Sequence, residues 1–225
     1  MSGVLVASGS PTAAGYTFTG LSFSLDVWAV EAPMLTAHYN LAAAAVGGKI
    51  YAMGGFGSGI LSVVEEYDPA SNTWTTKAPM PTGRNALAAA AVDGKIYAIG
   101  GVDGSSGLIV NVVEEYVPSS NTWATKAPMP TARYGLASAA AGGKIYAIGG
   151  NGSGVVLNVV EEYDPASNTW TTKAPMLTAR YYLAAAEVGG KIYAIGGASS
   201  SGASLNVVEA YTPGPRSTGY ILFKN

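Results

Sequence analysis

The sequence predicts an all-β fold of four successive four-stranded units, and three observations carry that prediction. A Lys-Ile-Tyr-Ala-(Ile/Met)-Gly-Gly block recurs at Lys49, Lys95, Lys144 and Lys191, so the chain reads first as a repeat array. A Gly-Gly or Asp-Gly pair precedes each block, a hairpin signal because two-residue turns of this kind need positive φ. The blocks lie 46, 49 and 47 residues apart, while the segment after the closing Gly-Gly is 6, 9 and 7 residues long at Phe56–Leu61, Val102–Val110 and Asn151–Leu157. Without that segment a constant 40 residues remain. Length varies in one connection only.

Each unit resolves into four extended segments bounded by turn residues. Strand A spans 41–46, 87–92, 136–141 and 183–188. Its alanines favour helix by intrinsic propensity, but six residues between Gly-rich turns are too few for one. Small side chains suit instead the crowded inner strand of sheets arranged radially. Strand B is the recurrent block, strand C is Val-Val-Glu-Glu-Tyr, and strand D begins at Trp74, Trp123 and Trp170. Asp-Pro-Ala-Ser-Asn supplies the C-to-D turn. In such a meander the A–B and C–D turns share one face, and the B–C and D–A connections share the other. The expected organisation is a single domain over 1–225, with N-terminal strands in 1–40 and units at 41–80, 81–130, 131–176 and 177–225.

These units resemble kelch repeats: Gly54-Gly55, Tyr67 and Trp74 recur as Gly100-Gly101, Tyr116 and Trp123, and as Gly149-Gly150, Tyr163 and Trp170. The resemblance covers roughly residues 24–212 and implies a β-propeller. The fourth unit keeps Gly196-Gly197 and Tyr211, with Tyr220 near the Trp position. Four clear units are fewer than the five to seven blades usual in the family. Trp28-Ala-Val-Glu-Ala-Pro-Met34 matches strand D and its exit, and Leu21–Trp28 alternates as a strand does. Val4–Ala7 and Tyr16–Thr19 read as degenerate strands of a fifth blade, with Tyr220–Lys224 as its inner strand, which would hide the chain's sheet edges. The expectation is a closed propeller of four to five blades; the alternative is an open half-propeller that pairs with a second copy.

Composition narrows the function. The net charge of −2 comes from interleaved acidic and basic residues, with no basic stripe to neutralise phosphates, so no nucleic-acid partner is expected. No apolar run approaches the ~18 residues that span a bilayer, and the start lacks a signal-peptide pattern, so no membrane association is expected. Zero cysteines leave the compartment open, while low charge and abundant Ser, Thr, Gly and Tyr resemble extracellular or virion surfaces. His38 is the single histidine, so a copper site like that of kelch-related galactose oxidases cannot be assembled. No metal or other cofactor is expected. The glycine doublets lack the Lys-Ser or Lys-Thr of a phosphate loop. Carboxylate acid–base chemistry, as in kelch-like sugar epimerases or mutarotases, is the enzyme alternative.

The candidate site precedes strand A on the variable face: His38-Tyr39-Asn40, Arg84-Asn85-Ala86, Arg133-Tyr134-Gly135 and Arg180-Tyr181-Tyr182. Repeated around a channel mouth, His38, Tyr39, Arg84, Asn85, Arg133, Tyr134, Arg180 and Tyr181 would form a cationic and aromatic ring suited to a protein partner or an acidic peptide or glycan. Equally, each Arg ties one blade to the next through a Glu or a backbone carbonyl. In the Glu pairs 65–66, 114–115 and 161–162 the two side chains face opposite sides of a strand, and one of them pairs with a basic residue of the neighbouring blade. Glu187 breaks the alanine pattern of strand A and joins the candidate list, near the axis. The expected function is a non-enzymatic binding module holding its partner on the B–C and D–A face. A self-assembling component of a surface layer, fibre or virion is the other class, with homo-oligomers as its signature.

Overall fold

The computed structural model describes residues 28–214 together with the backbone of 11–12 and 15–16. Two compact units partition the chain, Met1–Glu31 and Ala32–Asn225. In the first, Pro11–Thr12 pairs antiparallel with Gly15–Tyr16. The strands expected at Val4–Ala7, through Leu21–Val27 and at Tyr220–Lys224 lie outside the described residues.

The second unit is a four-bladed β-propeller, its blades in a ring. Blade 1 contains β1 (Ala42–Val46), β2 (Lys49–Met53), β3 (Val64–Asp68) and β4 (Thr73–Thr76). Blade 2 contains β5 (Ala88–Val92), β6 (Lys95–Ile99), β7 (Val113–Val117) and β8 (Thr122–Thr125). Blade 3 contains β9 (Ala137–Ala141), β10 (Lys144–Ile148), β11 (Val160–Asp164) and β12 (Thr169–Lys173). Blade 4 has β13 (Ala184–Val188), β14 (Lys191–Ile195) and β15 (Val208–Tyr211). Every blade is an antiparallel meander in chain order. The alanine strands β1, β5, β9 and β13 are the inner ones and contact one another in sequence. Strand A thus begins one residue later than the sequence suggested. Among the described residues no helix is long and apolar enough to cross a membrane.

Strand alternation builds the core between blades rather than within them. On one side of blade 2, Ile96, Ala98 and Tyr116 pack with Tyr51, Met53 and Val64 of blade 1. On the other side, Tyr97, Ile99 and Val113 meet Ile145, Ala147 and Tyr163 of blade 3. The same set recurs between blades 3 and 4. Removing a large apolar side chain from water is worth about 1.5–3 kcal/mol, so each seam is a major source of stability.

The glycine doublets permit these seams. A Cβ on Gly100, at φ 62°, would stand 2.6 Å from the carbonyl oxygen of Arg133 in the next blade. The following amide, Gly101 N, donates to that carbonyl at 2.9 Å. Gly55 to Arg84 and Gly150 to Arg180 repeat the bond. Between blades 4 and 1 the series stops: Gly197 makes no such bond to His38 among the described residues, and a Cβ on Gly196 would meet nothing nearer than Leu205 O at 3.5 Å. Ile195 and Val208, whose counterparts are buried in the other blades, are 41% and 59% exposed, and Ile50 on blade 1 is 41% exposed. Among the described residues the ring has three closed seams and one open one.

Candidate functional site

The B–C and D–A connections do meet on one face. The residue after each Arg, or after His38, bridges antiparallel to the first residues of the B–C loop: Tyr39 to Phe56, Asn85 to Val102, Tyr134 to Asn151 and Tyr181 to Ala198. The next residue is left-handed in every blade, with φ of 53° at Asn40, 50° at Ala86, 59° at Gly135 and 51° at Tyr182. A ladder of backbone bonds links these positions across blades: Ala86 N to Asn40 O, Gly135 N to Ala86 O, and Tyr182 N to Gly135 O. Together with Leu41, Leu87, Leu136 and Leu183 they line a hollow of about 190 Å³ at the channel mouth.

The arginines do not reach that mouth, and the cationic ring expected from the sequence is corrected here. Arg84, Arg133 and Arg180 are 0% exposed. Arg84 Nη2 donates to Glu114 at 2.8 Å, and its Nη1 to the carbonyls of Gly100 and Val112 at 2.9 and 3.0 Å. Arg133 repeats this with Glu161 at 2.8 Å, Gly149 O and Val159 O. Arg180 does so with Glu209, at 3.2 Å, and Val207 O. Desolvation lowers the Arg133 guanidinium to about 10 against the pull of Glu161, so it remains charged at neutral pH. With their terminal nitrogens committed to carbonyl and carboxylate partners and the side chains out of solvent, the three guanidinium groups are not presented to a ligand, although the buried Nε of Arg133 has no partner among the described residues. The sequence expected the tie to cross blades. Instead the side chain bonds within its own blade, and only the arginine's carbonyl oxygen crosses to the glycine of the preceding one.

His38 holds the arginine's place in blade 1 and replaces it incompletely. Its Nδ1 lies 2.6 Å from Gly54 O, whereas its buried Nε2 and the buried Oε1 of Glu65 have no partner among the described residues. Glu65 keeps one bond, from Leu35 N at 3.1 Å. The second glutamate of each pair serves its own blade too, not a neighbour: Tyr97 Oη donates to Glu115 at 2.6 Å, and Lys95 and Lys126 flank it. Burial works against that carboxylate's ionisation, but Tyr97, Lys126 and Lys95 together outweigh it and hold Glu115 below its ordinary pKa.

Glu187 is corrected as well. It pairs with Ile192 at the far end of β13, accepts from Gly190 N at 2.6 Å, and is exposed. That position is on the A–B turn face, opposite the aromatic groups, where the carboxylate closes its own hairpin. Asn85 is half-buried with its Oδ1 unpartnered among the described residues.

What the loop face does present is aromatic. Tyr134, Tyr181 and Tyr182 form a cluster with ring centroids 5.0–6.4 Å apart, and Tyr39 packs on Phe56 at 5.6 Å. Tyr39 is 60% and Tyr182 51% exposed. Tyr182 is the residue that the sequence reading left out of the ring. Its ring lies over Gly135, where a Cβ would stand 3.2 Å from it. A left-handed tyrosine costs about 1–2 kcal/mol, a cost that Asn40 and Gly135 largely avoid at the same position. The legible signal was a large aromatic in a series otherwise Asn, Ala and Gly.

A family model for the kelch-repeats domain of KLHDC2, KLHL20 and DRC7 matches residues 7–197. The chain belongs to the kelch-repeat family. Kelch propellers commonly mediate protein binding. Among solved structures, one titled "Structure of YjhT" superposes with a TM-score of 0.69 at 20% identity, covering 83% of this chain and 67% of that one. At that identity the likeness establishes the propeller fold alone. No curated protein matches the chain.

Proposed function

We propose that this kelch propeller is a non-enzymatic binding module that holds a protein partner on the face built by its B–C and D–A connections. The observation that carries the reading is the aromatic set on this face, the exposed Tyr39 and Tyr182 with the half-buried Tyr134 and Tyr181, held on a backbone frame bonded across blades. Rigid aromatics give large contact area at low entropic cost, and they anchor interfaces. The apolar loop residues Leu108 and Val155, both exposed, widen the same kind of surface. With the arginines buried and paired, the contact chemistry is aromatic and apolar rather than carboxylate capture.

Of the six strand C glutamates in blades 1–3, five are already engaged, and Glu65 alone keeps an unpartnered Oε1 among the described residues. Glu114 and Glu161 are held by arginine and threonine, and Glu66, Glu115 and Glu162 by tyrosine hydroxyls. Among the described residues no group of side chains is placed to hold a metal ion.

Photo-crosslinking decides the face. A benzophenone residue at position 39 or 182 should trap the partner in a cell extract, and one at position 93 or 187 on the A–B turn face should not. Tyr182→Ala should weaken the trapped complex roughly tenfold or more without loss of fold. Trapping confined to positions 93 and 187 would overturn the assignment, and turnover in a sugar-anomer exchange assay would replace it with an enzymatic role.

A further inference from the structure

In blades 1–3 the strand tyrosines commit their hydroxyls to the protein. Tyr51, Tyr97 and Tyr146 donate to a glutamate at 2.5–2.6 Å, and Tyr67, Tyr116 and Tyr163 donate to an asparagine at 2.7–3.0 Å. On the loop face the hydroxyls of Tyr39, Tyr134, Tyr181 and Tyr182 have no partner among the described residues. Burial and the neighbouring Tyr134 and Tyr181 phenols push Tyr182 above its ordinary pKa, so it stays a donor at neutral pH. The Oδ1 of Asn85, which holds in blade 2 the position of Tyr134 in blade 3, is a buried acceptor that also lacks a partner among the described residues.

The same face is almost free of charge. Its B–C loops read Phe-Gly-Ser-Gly-Ile-Leu at 56–61, Val-Asp-Gly-Ser-Ser-Gly-Leu-Ile-Val at 102–110, Asn-Gly-Ser-Gly-Val-Val-Leu at 151–157 and Ala-Ser-Ser-Ser-Gly-Ala-Ser-Leu at 198–205. Asp103 is their single charge, and its oxygens accept from Ser105 and Ser106. The arginines beneath are buried, whereas Lys49, Lys95, Lys144 and Lys191 begin strand B at the opposite face. Besides its apolar loop residues, the face offers serine hydroxyls, free phenols and tyrosine rings, around a hollow of about 190 Å³ lined by Leu41, Leu87, Leu136 and Leu183.

A group that fits such a face carries no charge, supplies both donors and acceptors, and has an apolar side that can lie on a ring. A charged peptide segment would give up its hydration here with no ion pair in return. A proline-rich segment brings apolar rings and carbonyl acceptors but lacks the donors that Asn85 Oδ1 needs. A sugar ring combines C–H faces with hydroxyls that both donate and accept. We infer that the group recognised on this face is a neutral glycan carried by the protein partner, with a sugar ring packed on Tyr134, Tyr181 and Tyr182 and its hydroxyls bonded to the free phenols and to Asn85. This rests on the loop-face reading above and adds the chemistry of what the partner presents. Tyr182 is the anchor, since its left-handed backbone sets the ring over Gly135, and strain of that kind is held at binding positions. With no exposed cation in these loops, an anionic sugar gains nothing over a neutral one.

A glycan array printed with neutral oligosaccharides, and with sialylated and sulfated versions of the same chains, tests the inference on the full chain. Neutral members should bind, and added anionic groups should not strengthen them. Tyr182→Ala should weaken that binding roughly tenfold or more, and Tyr182→Phe should lose less because the ring stays while the hydroxyl goes. Asp93→Ala, on the opposite face, should change nothing. Treating the cell extract with glycosidases before crosslinking from position 39 separates this inference from the one it rests on. Loss of trapping supports the glycan, whereas trapping of the deglycosylated partner keeps the face and overturns the glycan. The inference also fails if no neutral oligosaccharide binds, if only anionic ones do, if Tyr182→Ala binds as well as the parent chain, or if an oligoproline peptide binds in their place.

Discussion

Among the described residues blades 2 and 3 have a neighbour on both sides, whereas blades 1 and 4 each have one side open, and nearly the same sequence behaves differently in the two settings. Ile99 and Ile148 are buried, but the corresponding Ile195 is 41% exposed. Arg84 and Arg133 each place a guanidinium nitrogen 2.8 Å from a buried glutamate, but His38 leaves Glu65 half-satisfied. Tyr97 and Tyr146 donate to a glutamate, but Tyr193 finds Ala210 opposite it. The repeat alone therefore does not set the stability of a blade. Nearest-neighbour packing does, as expected of a quasi-one-dimensional array.

The sharpest way to break this contrast is to empty a tie. Arg133→Ala leaves Glu161 buried without its cation and should cost about 3–5 kcal/mol, read by urea unfolding. Replacing Arg133 and Glu161 together by leucine should recover most of that loss, because no unpaired charge remains. If Arg133 were a ligand contact, the single substitution would leave stability unchanged.

Glycine substitutions read the seams directly. Gly100→Ala drives a methyl group into the Arg133 carbonyl at 2.6 Å and should unfold or severely destabilise the chain. Gly196→Ala pays only the left-handed penalty of about 1–2 kcal/mol, because no blade stands over it. Equal melting temperatures for the two variants would remove the distinction between closed and open seams.

His38→Arg should sharpen the comparison by making blade 1 resemble blades 2 and 3. A guanidinium there would reach Glu65, and the gain should be about 1.5–3 kcal/mol, the range for hydrogen bonds to charged groups. A neutral or negative effect would mean that blade 1 has relaxed around the histidine.

The smallest effect concerns the phenols. Tyr97→Phe should cost roughly 1.5 kcal/mol, while Tyr193→Phe should cost almost nothing. The pH profile carries the same signature. Burial, then the bond to Glu115, pushes the Tyr97 phenol above its ordinary value of 10.0, and burial brings Tyr163 to about 12. A raised folded-state value gives stability that is complete below pH 10 and lost as pH climbs through the folded value. Glu66 and Glu115 are lowered from 4.5, so their contribution is present above that pH and fades on acidification. Melting temperature should form a plateau between those limits, and Tyr97→Phe should soften its alkaline shoulder.

Most of the architecture was legible in the sequence because its signals are local. Asp-Gly and Gly-Gly turns, Ala-rich inner strands and one length-variable loop are enough to place strands, faces and the crowded axis. The site was legible only by position. The triplets His38–Asn40 to Arg180–Tyr182 do lie on the variable face, yet nothing in a linear series says whether an arginine turns outward or reaches back to a glutamate some 30 residues later. The Arg84–Glu114 and Arg133–Glu161 pairs are contacts of the folded state. The mismatch of His38 with Glu65 was visible as a broken repeat, and so was Tyr182 in a series of small residues.

Amide hydrogen exchange, followed by mass spectrometry at a dilution where the chain is a single copy, tests the central claim that seam closure rather than repeat sequence sets blade stability. The slowest exchange is expected in β6 and β10 and markedly faster exchange in β14 and β15, although β10 and β14 carry the same Lys-Ile-Tyr-Ala-Ile segment. Equal protection of β10 and β14 in that single copy would contradict it.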